Sequence, residues 1–307
     1  MSIRPFRNSD LPQLLEIWIQ HFSALGRPPI VSLSKFEQAV VARIFFQPSN
    51  LLVNVGPEGP TGWIAFAPCQ HDSTKFYVCA LCFLPTDDQA GKELLLAVET
   101  RCIEAGRSRI QVGLIRDDTY GYAGLDPLGH GTAISLLDQR TISLLKAAEF
   151  VAEPEFVQMV ATTFQYRPPV NRDAIQLRRN ARLTQTPHVY HAPRQAAAMS
   201  HMDVEKIQLV NASGEELAAI SLWCSDPEAE VMDPAMAIID LGACHERGTL
   251  TAAECYLIGA TLQRLEQQRV TNVEIVVDCK NTELISQLET LKFQAGQRGT
   301  AWQKNTQ

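Results

Sequence analysis

The first half of the chain alternates between apolar spacing typical of helices and apolar spacing typical of strands. Residues 11–19 carry leucine, tryptophan and isoleucine at helical spacing, and the apolar runs 51–55 and 63–67 flank a turn rich in glycine and proline. These patterns predict a helix followed by a β-hairpin. Residues 77–84 are an apolar run short enough for a buried strand, and residues 91–105 have the spacing of a helix.

The second half repeats this order of predicted elements. It contains a hairpin, a strand, a helix, a strand and a last helix, at residues 205–223, 237–243, 252–267, 273–277 and 282–291. Equivalent apolar residues lie 163 positions apart at Ile110 and Val273, but 143 positions apart at Phe150 and Phe293. The first copy therefore carries an insertion at 118–137. A repeat of this length indicates duplicated domains rather than a solenoid.

Length and composition fit two globular domains. With 307 residues, of which 46% are hydrophobic and 20% charged, the chain can build two cores of about 150 residues each. Pro168 and Pro169 are typical of a linker, because paired prolines cannot continue the interior of a sheet. We therefore predict an N-terminal domain at 1–165, a linker helix region at 166–186 and a C-terminal domain at 187–307.

The segment between the two copies carries a basic cluster. Residues 156–164 are predicted to close the first domain as a strand, and residues 171–183 to form a connecting helix. Arg178 and Arg182 share one face of that helix, because they are four residues apart. We interpret the cluster as part of a solvated linker helix. Docking of an anionic substrate or a cofactor phosphate is the alternative.

Charge and hydropathy exclude several classes of partner. A net charge of -7 argues against non-specific nucleic-acid binding, and no stretch approaches the ~18 apolar residues of a membrane span. We therefore expect a cytoplasmic protein without nucleic-acid or membrane partners. The eight cysteines are expected to be reduced core thiols. Cys79 and Cys82 would face opposite sides of a strand, so they cannot hold a metal together, and no metal site is expected.

This order of elements resembles that of the GNAT acetyltransferases. Residues 273–293 are similar to the family's ending, in which a strand is followed by an Asn, an apolar pair and a Gly-Phe or its equivalent; they read VEIVVDCKNTELISQLETLKF. Residues 3–11, IRPFRNSDL, resemble the family's first strand and helix cap. The resemblance covers most of the chain. It implies an α+β (mixed α/β) fold of two tandem GNAT domains, each a twisted mixed sheet flanked by helices.

In that family the pyrophosphate of acetyl-CoA lies on a loop of pattern Arg/Gln-x-x-Gly-x-Gly/Ala, where free N–H groups and the helix dipole attract an anion. Residues 247–252, RGTLTA, match the first and last positions but place Leu250 at the central glycine. The first copy keeps Gly91 but surrounds it with three acidic residues. The second copy is therefore the better match. The cofactor contacts that the resemblance implies are Leu241, Ala243, Arg247, Gly248, Thr249, Thr251, Ala252, Ala253 and Asn281.

The resemblance also implies a reaction. In the family an amine attacks a thioester held between two splayed central strands, a carboxylate often relays the proton, and a Tyr on the last helix protonates the thiolate. The carboxylate position matches Asp240, whereas the Tyr position falls on Leu145 and Leu288. Loss of this acid slows such a reaction without forbidding it.

The insertion offers candidates to replace the missing acid. It contains Tyr120, Tyr122 and His130 among four glycines, and it follows the strand after which this fold places the acceptor substrate. Loops on a rigid scaffold often carry recognition. An inert packed loop that covers the sheet edge is an equal alternative.

The resulting expectation is an acetyl-CoA-dependent N-acetyltransferase that acts on a small amine. The second copy would hold the cofactor, with Asp240 as the candidate base. The alternative is a non-catalytic GNAT-like module that senses a ligand or dimerises. The two missing tyrosines favour this alternative, and a homodimer stays open.

Overall fold

The computed structural model describes residues 2–26, 28–115 and 118–306, without the side chains of His130, Ala243 and Cys244. It divides into two compact units. Unit 1 comprises Met1–Glu155 with Arg298–Gln307, and unit 2 comprises Phe156–Gln297. Within the described ranges, no helix combines the length and the hydropathy needed to cross a membrane.

Strands and helices alternate along both units. The strands are β1 (Ser2–Pro5), β2 (Leu51–Gly56), β3 (Gly59–Pro68), β4 (Lys75–Phe83), β5 (Arg109–Val112), β6 (Ile134–Ser135), β7 (Val151–Thr162), β8 (Ala181–Pro187), β9 (Met202–Asn211), β10 (Glu216–Ser225), β11 (Met236–Asp240), β12 (Asn272–Asp278) and β13 (Gln294–Asn305). The α-helices are α1 (Leu11–Ser23), α2 (Leu33–Phe36), α3 (Asp88–Glu104), α4 (Gln139–Ala147), α5 (Arg172–Asn180), α6 (Pro193–Ala198), α7 (Ala243–Arg247), α8 (Ala252–Gln267) and α9 (Thr282–Thr290). Short 3₁₀ turns lie at Asn8–Asp10, Pro48–Asn50 and Leu128–His130, and Glu37–Val41 is π-helical.

Unit 1 is built on a mixed sheet. Its strand order is β1-β2-β3-β4-β5-β13, with β6 on β13, and only the β4–β5 pair among these is parallel. Helix α3 makes the crossover between β4 and β5, as a parallel pair requires. The apolar face of α3 packs with the sheet in one core, to which Leu94, Ile64 and Ile110 contribute fully buried side chains.

Unit 2 repeats this plan. Its strand order is β7-β12-β11-β10-β9-β8, and here the parallel pair is β11–β12. Helix α8 makes the crossover, and its residues Leu257 and Leu262 are fully buried with Val273 of β12 and Leu288 of α9. The two mixed sheets with their helices are the α+β architecture that the sequence predicts.

The closing strands of the two copies differ from the sequence expectation. Residues 156–162, predicted to close the first domain, pair instead with β12 of unit 2. The end of β13 pairs with β5 of unit 1, from Trp302↔Val112 to Asn305↔Arg109. The units therefore divide after residues 155 and 297 rather than at the predicted boundaries. The apolar pattern of a strand specifies its buried face but not its neighbour, so the sequence could not show this exchange.

The connecting helix is shorter than predicted. Helix α5 ends at Asn180, and the residues that follow form β8, in which Arg182 lies opposite Val210 of β9. Asn171 caps α5, because its side chain accepts a hydrogen bond from the N–H of Ala174 at 2.7 Å. The strand at 181–187 depends on pairing with β9, whose residues lie between 18 positions (Pro187↔Glu205) and 30 positions (Ala181↔Asn211) further along the chain, and local helical spacing does not reveal such pairing.

Candidate functional site

The parallel strand pair of unit 2 opens at its carboxyl end. The register between β11 and β12 runs from Met236↔Asn272 to Ile238↔Glu274, while both strands continue beyond it. We call this gap the strand opening. Unit 1 has the same feature, because the β4–β5 register ends at Val78↔Val112 while β4 runs on to Phe83. This is the separation of central strands that the resemblance implies.

Asp240 is the last residue of β11 and lies at the strand opening. It pairs with Ser221 of β10, and its carboxylate Oδ1 accepts the N–H of Gly242 at 3.1 Å. The carboxyl group is partly exposed, whereas the next residue, Leu241, is buried in the core of unit 2. The structure therefore places a partly exposed aspartate at the edge of the strand opening. Its role as a base stays a prediction.

A tight turn leads from the strand opening to helix α8. Helix α7 begins at Ala243, whose side chain is outside the described part of the structure, and ends at Arg247. Gly248 follows with a φ of +69°, and a Cβ on this residue would lie 3.0 Å from Oδ1 of Asn281. The Nδ2 of Asn281 donates to the carbonyl of His245 at 3.1 Å. Asn281 thus braces the turn, and glycine permits its close approach.

Glu254 caps the start of α8. Its Oε2 accepts the N–H of Thr251 at 2.7 Å, and the Oγ1 of Thr251 accepts the N–H of Glu254 at 3.3 Å. The Oε1 of Glu254 accepts from the guanidinium of Arg247 at 2.5 Å. Glu254 is only 7% exposed. The anion at this helix N-terminus is therefore a carboxylate of the protein itself.

Gln287 of α9 fixes the middle of the same loop. Its Oε1 accepts the N–H of Leu250 at 2.6 Å, and its Nε2 donates to the carbonyl of Leu250 at 3.0 Å. The hydroxyl of Thr249 donates to Oε1 of Glu283 at 3.2 Å. The N–H groups of Leu250 and Thr251, which the resemblance would assign to pyrophosphate, already have protein acceptors.

The structure brings the predicted cofactor residues between 247 and 253 together with Asn281, whereas Leu241 is buried in the core of unit 2. Residues 247–253 form one loop and helix start, with Ala252 exposed and Ala253 packed against the core, and Asn281 lies beside them. Glu254 and Gln287 are not among the site residues predicted from the sequence. The pattern Thr-x-x-Glu at 251–254 is the signature of a capping box and could have identified Glu254. Gln287 lies 37 residues from Leu250 and has no local signal.

The equivalent loop of unit 1 is also occupied by its own side chains. The carboxylate of Asp87 caps α3 by accepting the N–H of Ala90 at 3.1 Å. Arg140 of α4 pairs with Asp88 at 2.7 Å and also donates to the carbonyl of Leu84 at 2.7 Å. The acids that the sequence places around Gly91 are therefore part of the structure of this helix start.

The insertion of unit 1 packs into its body. Tyr122 is 4% exposed, and the indole Nε1 of Trp18 donates to the carbonyl of Asp126 at 3.1 Å. The ring of Tyr120 lies 5.4 Å from that of Tyr77 on β4. Burial is the main cause that raises the pKa of Tyr77 to about 12. The packed-loop interpretation of the insertion thus agrees with the structure. The role of Tyr120 and Tyr122 as proton donors stays a prediction.

The predicted catalytic residues fall in different units. Tyr120 and Tyr122 belong to unit 1, whereas Asp240 belongs to unit 2. Cys79 and Cys82 are buried in β4, and burial raises the pKa of the Cys82 thiol. Among the side chains that the structure describes, no group of three or more His, Cys, Asp or Glu residues is placed to hold a metal ion.

Two α+β units, each with a parallel strand pair that opens at one end and a helix that begins at the opening, define the class of fold. The sequence matches no family model and no curated protein sequence. Among solved structures it is similar to a tandem GNAT protein from the clavulanic acid biosynthesis pathway, solved without AcCoA, with 13% identity, coverage of 100% of this chain and 98% of that one, and a TM-score of 0.65.

Two further structures extend the likeness. A GCN5-related N-acetyltransferase from Sphaerobacter thermophilus is 12% identical over 100% of this chain and 96% of that one, with a TM-score of 0.63. A GCN5-related glucosamine N-acetyltransferase region of a fungal multi-domain GH3 β-N-acetylglucosaminidase is 12% identical over 99% of this chain and 38% of that one, with a TM-score of 0.71. The chain therefore has the tandem GNAT fold that the sequence resemblance predicts.

Proposed function

We propose that the protein is an N-acyltransferase that transfers an acetyl group from acetyl-CoA to a small amine. The observation that carries the proposal is the position of Arg247 and the α8 N-terminus directly after the strand opening, with Asp240 at its edge. A cation and a helix N-terminus attract a pyrophosphate. The similarity in fold to N-acetyltransferases supports the same reaction class.

The proposed chemistry is direct transfer. The amine nitrogen attacks the thioester carbonyl, and the C–S bond breaks as the new C–N bond forms. Asp240 accepts the proton that the amine loses. Because Leu145 and Leu288 are fully buried at the positions expected for the acid, the thiolate leaves as an anion or takes its proton from water.

Cofactor binding in unit 2 requires a local exchange of partners. The carboxylate of Glu254 holds Arg247 and the N–H of Thr251, and Gln287 holds the N–H of Leu250. A pyrophosphate that enters this loop must displace at least the contacts of Glu254. Each lost charge-assisted hydrogen bond costs about 1.5–3 kcal/mol, so binding of the cofactor is weakened by this competition.

The satisfied N–H groups of the loop favour a second candidate, a GNAT-like module that does not catalyse transfer. A loop whose N–H groups are satisfied by Glu254 and Gln287 is stable without any anion. The buried leucines at the acid positions agree with a unit that has kept the fold but lost the chemistry.

Titration of the thermal unfolding midpoint with acetyl-CoA and CoA tests the first proposal. Saturation at about 100 times the Kd adds roughly 2.7 kcal/mol of apparent stability. A saturable shift together with acetylated product, detected by mass spectrometry over a panel of primary amines, supports the transferase. A shift without product favours the second candidate. The absence of a shift with either ligand up to millimolar concentration contradicts the transferase and agrees with a module whose loop needs no anion.

Charge reversal locates the cofactor. Arg247→Glu is expected to abolish the shift, because it replaces the cation of the loop with an anion. Arg269→Glu, just beyond the opposite end of α8, is the matched control and is expected to retain the shift. An unchanged shift in Arg247→Glu would place the cofactor outside the loop of unit 2.

A further inference from the structure

Unit 2 contains a groove between α5 and α8, which we call the α5–α8 groove. One wall is a face of α8 that runs over successive turns from Ala252 through Tyr256 to Gln263. The opposite wall is formed by residues 167–171 and the face of α5 that carries Ile175 and Arg178. The lining is completed by Leu250, Gln287, Thr290 and Leu291. The groove has a volume of about 670 Å³, which lies within the range of about 300–1,000 Å³ typical of small-molecule sites.

The charge of the groove is opposite to that of the whole chain. Arg167 and Arg178 line it, and no Asp or Glu does, although the net charge of the protein is -7. Within the described part of the chain, neither guanidinium makes an ion pair or a hydrogen bond. Two cations without a neutralising carboxylate attract an anion into the groove.

Apolar side chains stand open to solvent along the same wall. Ile175 of α5 is 45% exposed and Val170 is 81% exposed, whereas Leu177 of the same helix packs against the core of unit 2. Across the groove lies the ring of Tyr256. The exposed apolar groups beside Arg167 and Arg178 suit a ligand that joins an apolar body to an anionic group.

We propose that the α5–α8 groove is a binding site for a small organic anion, with an aromatic body against Ile175 and Tyr256 and its charged group on Arg167 and Arg178. The groove adjoins the candidate cofactor loop, because Leu250, Ala252 and Gln287 also line it, but the two cations that would bind the anion lie on α5 and on the segment before it. A ligand there orders the rim of the groove, since it covers side chains that water otherwise surrounds.

Isothermal titration calorimetry with three probes of one size tests the chemistry of the ligand. Naphthalene-2-sulfonate is the anion, 2-naphthol the neutral analogue and 2-naphthylmethylammonium the cation. The anion is expected to bind one site per chain, the neutral analogue about tenfold more weakly, and the cation more weakly still, because the groove carries two positive charges. Equal affinity for all three probes would overturn the charge assignment.

Variants identify the site. Arg178→Glu is expected to weaken binding of naphthalene-2-sulfonate about tenfold, since it removes one attractive charge and adds a repulsive one. Arg179→Glu changes the next residue of α5, which does not line the groove, and is expected to leave the Kd unchanged. Ala260→Trp places a large ring in the groove and is expected to abolish binding.

The thermal unfolding midpoint of each variant establishes that it is folded before its Kd is used. If Arg178→Glu and Ala260→Trp bind the anion as the parent protein does, the probe lies elsewhere and the proposal fails.

Competition with CoA separates this proposal from the proposed function. The affinity for the anion is expected to be unchanged by saturating CoA, and displacement by CoA would make the groove part of the cofactor site and overturn an independent site.

Discussion

At the scale of single residues, Glu254 determines the state of the candidate cofactor loop. It caps α8 through the N–H of Thr251 and holds the guanidinium of Arg247 at 2.5 Å. The two roles combine in one carboxylate that is almost fully buried. A single substitution therefore tests both the stability of the helix start and the competition with an anionic cofactor.

Glu254→Gln is expected to lower the free energy of unfolding by about 1–2 kcal/mol, because a capping, charge-assisted contact is lost. It is also expected to tighten CoA binding several-fold, since Arg247 and the N–H of Thr251 no longer hold a carboxylate. Urea denaturation and CoA titration measure the two effects. Glu289→Gln, on the exposed face of α9, is the control and is expected to change neither. Weaker CoA binding by Glu254→Gln would show that the carboxylate organises the loop rather than blocking it.

Asp10 provides a pH-dependent part of the stability of unit 1. The residue is 3% exposed, and the two terminal nitrogens of the Arg4 guanidinium donate to its carboxylate oxygens, at 2.7 and 2.8 Å. The hydrogen bond from Arg4 lowers the pKa of Asp10 and outweighs burial, which acts in the opposite direction. A carboxyl group whose pKa is lower in the folded state stabilises the fold above its unfolded pKa of about 3.9, and this contribution disappears as pH falls through the folded pKa.

Asp10→Asn is therefore expected to cost about 1–2 kcal/mol of unfolding free energy between pH 5 and 8. The difference from the parent protein is expected to shrink below about pH 4, because protonation removes the same charge from Asp10. Urea midpoints at pH 7, 4 and 3 measure it. A difference that stays constant across these pH values would contradict the role of the charge. Asp233→Asn in a turn of unit 2 is a control without an arginine partner among the described residues.

At the scale of elements, the sequence predicted most helices and strands because their apolar periods are local. The hairpin of β9 and β10, the crossover helices α3 and α8, and the final helix α9 all occur where their spacing indicated. Long-range pairing was beyond such reasoning, as β8 shows, since its pattern is too polar to indicate a strand. The same holds for the candidate site. A sequence motif was enough to predict the segment 247–252 and Asn281, whereas the contact of Gln287 with Leu250 is visible only in the folded structure.

The insertion is an element for which the structure agrees with the packed-loop alternative. Its segment at 121–125 is buried, so Tyr122 contributes to packing rather than to an open surface. Tyr122→Ala is expected to lower the free energy of unfolding by about 3 kcal/mol, as for other large buried side chains, and Tyr120→Ala by less than about 1.5 kcal/mol. Tyr122→Phe keeps the ring and is expected to lose less than half as much. Thermal and urea denaturation measure the series, and a small effect of Tyr122→Ala would restore the insertion as a free recognition loop.

At the scale of the whole molecule, the two copies exchange their closing strands. Most of β7, which follows α4 of the first copy, belongs to unit 2, and most of β13, which follows α9 of the second copy, belongs to unit 1. The sheet of unit 1 is completed by β13 from the end of the chain, and Trp302 of that strand is buried in the core of unit 1. Lys304 on the same strand pairs with Glu99 of α3 at 2.8 Å. Residues 1–155 therefore lack one strand and part of their core.

The exchange of closing strands predicts how fragments of the chain fold. Residues 1–155 alone are expected to aggregate or to unfold without cooperativity, because β5 becomes an open edge and the contacts of Trp302 are lost, a loss of about 3–5 kcal/mol for a buried Trp. Arg298 pairs with Glu155 at 3.3 Å, so a short glycine-rich linker can join residue 155 to residues 298–307. The joined fragment is expected to fold with a sharp thermal transition, and the same fusion with Trp302→Ala to lose it. A fragment 1–155 that folds as well as the fusion would show that β13 is dispensable and that unit 1 closes its sheet without it.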